Sequence, residues 1–232
     1  MMNQIKRKNK KLDEYKAVVF DLDGTLYYQK PFRRRMVRFL AWHLISHPRA
    51  IKDMFIILDY RKIREDWEHY EKVQCFEETM DLEARQYHFV AKRKKTTPEY
   101  VKNVISFYML ETPLKLLYEY RDSELIQMIE DLRKKQVRIV IYSDYPVENK
   151  RKVLQVEADL CFTSTDKEIN SMKPDSKGLQ VILQQLQMKP EEVIMVGDRY
   201  EKDGLAAVAN QMDYIILDSN KKKRQIQEKE LL

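Results

Sequence analysis

The chain has 232 residues, 44% hydrophobic and 34% charged, with a net charge of +6, four glycines and two cysteines. That length suits one large domain or two unequal ones, and the composition excludes wholesale disorder, a collagen-like repeat and a disulfide-stapled secreted scaffold. Cys75 and Cys161 belong to no C-x-x-C pair, so no zinc site or dithiol redox centre is expected, and both thiols are expected to be reduced, buried and inert.

Residues 1–16 hold six basic and two acidic groups but no apolar stretch, so they are not a secretory signal. Residues 1–14 and 221–232 read as basic tails that solvent covers and that carry no function. From Lys16 the run Ala17-Val18-Val19-Phe20 is short, apolar and β-prone, and it stops at Asp21-Leu22-Asp23-Gly24, which predicts a buried strand ending in a turn. From Pro31 to about Tyr120 the spacing turns helical, with Met36, Phe39, Leu40, His43 and Leu44 on one stripe, and at least four helices fit this segment. Thr97 followed by Pro98 marks one helix start. The apolar clusters Met36–Ile45 and Met54–Leu58 fall short of the roughly 18 uninterrupted residues that span a bilayer, so no membrane span is expected and the location expected is cytoplasmic.

Beyond Asp122 a helix leads to a strand over 137–142, followed by strands over 158–163, 192–196 and 212–217 with helices over 178–188 and 204–210 between them. Such alternation implies a parallel sheet whose ligands bind beyond the carboxyl ends of the strands. The expected fold is therefore an α/β core over 15–28 and 116–220, with an all-helical insertion over 29–115.

Polar groups stand at these strand ends where a core needs none: Asp21 and Asp23, then Ser143 and Asp144, then Asp198. Carboxylates gathered without a counter-ion raise one another's pKa, so a cation belongs among them. Oxygen-only ligands with room for water favour Mg²⁺. Lys173, before Pro174, is the nearest protein cation by motif.

Asp21-Leu22-Asp23-Gly24-Thr25, Ser143 closing an apolar strand, Lys173 before proline, and Gly197-Asp198 with Asp203 five residues on resemble, in order, the four motifs of the haloacid dehalogenase (HAD) superfamily. The resemblance covers the core and implies a Rossmann-like parallel sheet. The insertion resembles that superfamily's C1-type cap in position and helicity alone. Carried onto this sequence, the resemblance implies an Mg²⁺-dependent phosphatase that works through an aspartyl-phosphate on Asp21. Asp21, Asp198 and the Asp23 backbone carbonyl would hold the metal, with Asp203 supporting it through water. The Asp23 side chain would serve as general acid and base, Lys173 would counter the phosphate and Asp21, and Ser143 with backbone N–H groups near Gly24 and Asp144 would hold the phosphoryl oxygens. Dehalogenases of the superfamily typically lack the second aspartate, so Asp23 favours phosphoryl transfer.

A sugar phosphomutase on the same core and a non-catalytic polyanion-binding protein are the alternatives. Residues 29–115 carry eighteen basic and twelve acidic groups, whereas 17–28 with 116–218 carry fourteen and twenty-one. This polarity suggests closure over an anionic ligand, with Arg33, Arg34, Arg35 and Arg38 either as contacts or as a solvated helix face. Tyr27 and Tyr28 either line the entrance or pack at the hinge. The partner expected is a small phosphorylated metabolite rather than nucleic acid, and the oligomeric state stays open.

Overall fold

The computed structural model describes residues 5–6, 10–73 and 80–231. Its sheet has six strands: β1 (Ile5–Lys6), β2 (Ala17–Phe20), β3 (Arg138–Ser143), β4 (Leu160–Thr163), β5 (Val193–Gly197) and β6 (Asp213–Ile216). They lie in the order β1-β6-β5-β2-β3-β4, and all pairs are parallel except β1 with β6. β2 and β5 are buried at every position, as expected of parallel strands covered on both faces. Because β2 is central and the chain leaves it first for β3 and β4 and later for β5 and β6, the strand order reverses beside it. Such a reversal opens a crevice at the carboxyl ends.

The helices are α1 (Gln29–Ser46), α2 (Ile51–Glu65), α3 (Trp67–Val73), α4 (Leu82–Lys94), α5 (Pro98–Ile105), α6 (Leu114–Leu117), α7 (Ser123–Lys134), α8 (Glu148–Leu154), α9 (Lys177–Leu186), α10 (Leu205–Ala209) and α11 (Lys221–Lys229). One sheet face buries Ala17, Val19, Val140, Tyr142, Val193 and Met195 against Leu179, Ile182 and Leu186 of α9 and Ala206 and Ala207 of α10. Burying each such aliphatic side chain is worth about 1.5–3 kcal/mol. The stripe of Leu125, Met128, Ile129 and Leu132 on α7 is buried where that helix packs on β3.

The chain divides into two compact units, Met1–Phe32 with Leu117–Leu232, and Arg33–Leu116. The helical unit was expected over 29–115; it begins four residues later because the first turn of α1 packs with the α/β unit. There Phe32 meets Tyr27 and Tyr120 edge-to-face at 5.4 and 5.5 Å, and the Tyr28 N–H donates to the Tyr120 carbonyl at 2.9 Å. Within the helical unit α2, α4 and α5 pack together, burying Ile56, Tyr60, Ile63, Leu82, Val90, Val101 and Val104. Asp81 and Thr97 cap α4 and α5, accepting the N–H groups of Ala84 at 2.8 Å and Tyr100 at 3.2 Å. Among the described residues no helix is long and apolar enough to cross a membrane.

Three expectations need correction. Residues 1–14 are not simply a solvated tail: Ile5–Lys6 pairs with β6 as the edge strand, and Leu12 is fully buried, its N–H donating to the Leu231 carbonyl at 3.0 Å. Residues 221–231 are not a solvated tail: Asn220 caps α11, and Arg224, at 1% exposure, pairs with the buried Asp122 and Glu228. Cys161 is half-buried rather than buried; that burial pushes its thiol up to about 11, so it is inert all the same. Cys75 lies outside the described residues.

Candidate active site

Asp21, Asp23, Ser143, Asp144 and Asp198 stand where a strand stops, Lys173 in the loop between β4 and α9, and Asp203 in a helical turn after β5. Phe20 of β2 is in register with Ile141 of β3 and Val196 of β5, so the residues that follow emerge at one rim. Asp21, Asp198 and Asp203 present carboxylate oxygens all within 4.8 Å of one another. Gly24 makes this possible: its φ of +106° suits glycine, and a Cβ there would overlap the Asp198 carboxylate. A Cβ on Gly197 would likewise overlap Asp203.

Lys173 closes the cluster. Its Nζ donates at 2.6 Å to both Asp21 Oδ1 and Asp203 Oδ1, with all three side chains buried. The free oxygen of Asp21 accepts the Thr25 hydroxyl at 3.0 Å. Asp203 Oδ2 accepts the Arg199 N–H at 3.1 Å, so both of its oxygens already have protein donors. Asp198 packs against the bare Cα of Gly24, within 4.8 Å of the Asp21 and Asp203 carboxylates.

One ammonium among three carboxylates leaves the cluster short of positive charge, and the protonation equilibria record it. Burial, then the Asp203 and Asp198 charges, hold the Asp21 carboxyl well above the usual range despite the pull of Lys173. Burial and then Asp203 push Asp198 up to about 7 against the opposing Lys173 and Arg199. Burial opposes the charge of Lys173, but Asp203, Asp21 and Asp144 outweigh it and hold the ammonium well above its ordinary value. A hard divalent cation would resolve the deficit, and an all-oxygen donor set with incomplete protein coordination fits Mg²⁺. The saturated oxygens of Asp203 suit a water-mediated contact better than a direct one.

Asp23 is not part of that cluster. Burial would raise its pKa, but the Lys150 ammonium at 2.6 and 2.7 Å, the Tyr27 hydroxyl at 2.7 Å and the Ser143 hydroxyl at 3.2 Å outweigh burial and hold it below the usual carboxylate range. Its backbone carbonyl accepts from Gln29 Nε2 at 3.3 Å. Ser143 Oγ thus points at Asp23 and also accepts the Tyr145 N–H at 3.1 Å. Asp144 anchors the lysine loop, its Oδ1 accepting the Ser164 hydroxyl at 2.5 Å and the Lys173 N–H at 3.1 Å.

Lys150 and Arg224 lay beyond the sequence reading, and Tyr27 was expected either at the entrance or at the hinge. Lys150 of α8 is a buried cation in a stretch that reads as an ordinary amphipathic turn, and only its seven-residue distance from Ser143 could have flagged it. Tyr27 is buried on Asp23 rather than at an entrance. Arg224 donates to the carbonyls of Thr25 and, at 2.8 Å, Gly24, and pairs through Nε with Asp122 at 2.7 Å and Glu228 at 3.1 Å. The loop that follows Asp21 is therefore held from behind by α11. Arg33, Arg34, Arg35 and Arg38 lie exposed on α1.

The family model described as haloacid dehalogenase-like hydrolase matches residues 15–210. The search of curated proteins found no match. Among solved structures, a 2-haloacid dehalogenase from Pseudomonas syringae pv. Tomato DC3000 is 17% identical with a TM-score of 0.60, covering 88% of this chain and 86% of its own. The HAD-hydrolase YfnB from Bacillus subtilis, described as bound to magnesium, is 12% identical with a TM-score of 0.59, covering 88% and 89%. A HAD phosphatase from Thermococcus onnurineus is 20% identical with a TM-score of 0.51, covering 88% and 86%. At these identities the likeness is one of fold, shared by dehalogenases and phosphatases alike.

Proposed function

The chain belongs to the haloacid dehalogenase-like hydrolases, and from that premise we propose that it is an Mg²⁺-dependent phosphatase of a small phosphomonoester, working through an aspartyl-phosphate on Asp21. The observation that carries this reading is the second carboxylate, Asp23, held beside the nucleophile by Ser143, Tyr27 and Lys150. Halide leaves as an anion and needs no proton; an alkoxide leaving group does, and Asp23 is the acid placed to supply it.

Asp21 and Asp198, with the Asp23 backbone carbonyl, would hold the metal, and Asp203 would steady it through water. Bound there, Mg²⁺ supplies the positive charge that offsets repulsion between a carboxylate nucleophile and a phosphate dianion, and it polarises the phosphoryl oxygens. Lys173 orients Asp21 through Oδ1 and Thr25 through Oδ2, which leaves the carboxylate fixed for attack on phosphorus. Asp23 rests ionised against Lys150. An arriving phosphate adds like charge and favours its protonation; the proton then passes to the departing oxygen as the P–O bond breaks. In the second half-reaction Asp23 takes a proton from the water that attacks the phosphoaspartate, which releases phosphate and restores Asp21.

Hydrolysis of p-nitrophenyl phosphate tests the proposal. Turnover should require added Mg²⁺ and vanish in Asp21→Asn. Turnover that survives that substitution, or halide release from a 2-haloacid without phosphatase activity, would reject it.

A further inference from the structure

The helical unit holds a cavity of about 600 Å³ on the flank of α1, within the size range that takes a small organic ligand. Its carbon walls are Phe39 and Trp42 of α1 together with Leu116. Trp42 is 74% exposed, an unusual state for the largest apolar side chain. Neighbouring Val37 and Ile45, at 64% and 77%, extend the apolar surface along the same helix.

Beside Ser46 and Thr112, the fixed charges at this cavity are of one sign. Arg35, Arg38 and Lys115 line it, and no carboxylate does. Among the described residues none of these three side chains has an ion-pair or hydrogen-bond partner. His43 also lines it. Its Nε2 is engaged by the Tyr108 hydroxyl at 3.0 Å, and its ring stacks on His47 at 4.4 Å and 17°. The imidazole pair therefore offers flat faces, while the charge comes from the two arginines and the lysine.

Uncovered aromatic surface calls for carbon, and three uncompensated cations call for an anion. We propose that this cavity binds a small anionic amphiphile: a carboxylate, sulfonate or phosphate head set against Arg35, Arg38 and Lys115, on an aliphatic or aromatic body covering Phe39, Trp42 and Leu116. The site lies wholly within Arg33–Leu116 and stands independently of the phosphatase proposal.

Titration of the full chain with dodecanoate, kept below micelle-forming concentration and followed by tryptophan fluorescence, tests the assignment. Trp67, the other tryptophan, is only 4% exposed, so a blue shift reports on Trp42. The expected result is a saturable blue shift, at least about tenfold weaker for dodecyltrimethylammonium and at least about tenfold weaker in Arg35→Gln/Arg38→Gln. Both arginines are exposed, so that variant keeps the fold, and Arg133→Gln on the exposed side of α7 should bind as the parent does. Equal binding of both amphiphiles, or none of the loss in the double variant, would overturn the proposal as mere hydrophobic adsorption. A blue shift with phosphatidylglycerol vesicles but none with dodecanoate would assign the surface to a bilayer instead. Concentration-dependent dimerisation abolished by Trp42→Ser, without any dodecanoate response, would assign it to a second copy; either result overturns the proposal.

Discussion

A lysine at position 150 decides the charge state of Asp23. Burial alone would raise that carboxyl, and the Lys150 ammonium at 2.6 Å reverses the shift. In Lys150→Met the carboxyl keeps its burial and loses its counter-charge, so its pKa rises. The basic limb of the kcat/KM profile for an alkyl phosphomonoester should then move to higher pH by at least about one unit, because an acid that must carry its proton for the first half-reaction keeps it longer. A limb that stays in place would show that Asp23 does not govern it. The sequence could announce Asp21, Asp23 and Asp198 because each sits in a short motif at a strand end, where a polar group has no packing role, and Lys173 because it precedes Pro174 in the loop after β4. It could not announce Lys150 or Arg224, nor the bond that Tyr27 makes to Asp23. A lysine or arginine in a helix ordinarily faces water, and only a partner brought from far along the chain makes it a buried counter-ion.

At the scale of elements, the site depends on α11 as much as on the strands. Arg224 joins the Gly24 and Thr25 carbonyls to Asp122, which also caps α7 by accepting the Leu125 N–H at 3.3 Å. Arg224→Met keeps the bulk of the side chain but leaves Asp122 and Glu228 without their shared cation. Loss of one partner of a buried ionic cluster costs about 3–5 kcal/mol, read as a lower denaturant midpoint, and phosphatase activity should fall with it because the loop bearing Asp21 loses its support. An unchanged midpoint would mean that α11 is dispensable. This helix escaped the sequence reading because Lys221, Lys222 and Lys223 have the composition of a solvated end, and the pattern that matters is the Arg224–Glu228 pair one turn apart. The wide π-type turn Tyr200–Gly204 escaped it too, although its Arg199 carbonyl receives the Asp203 N–H at 2.8 Å and so aims Asp203 at Lys173. The parallel strands were legible because each is a continuous apolar run, and the two-residue β1 was not, being too short to show any period.

For the molecule as a whole, the division into two compact units places every candidate metal ligand in one of them. Each unit has its own core, so thermal unfolding should show two transitions rather than one. Mg²⁺ should raise only the transition of the α/β unit, by about 2.7 kcal/mol at a hundredfold excess over its dissociation constant. The sign with pH follows from Asp198, raised from 3.8 to about 7 in the metal-free fold. Its contribution to stability is complete below 3.8 and disappears as the pH climbs through about 7, where the cation takes the place of the proton. The rise produced by Mg²⁺ should therefore be larger at pH 8 than at pH 6 in differential scanning calorimetry. A shift of both transitions, or one independent of pH, would contradict the assignment.

The bond from Arg224 to the Gly24 carbonyl spans 200 positions of the chain. A ribosome adding about 5–20 residues per second needs roughly 10–40 s to cover that interval. For most of that time the aspartate loop is clear of the ribosome while the arginine that fastens it has yet to be made. A nascent chain can thus lay down β2 early, but the loop after Asp21 is fully braced only when α11 emerges.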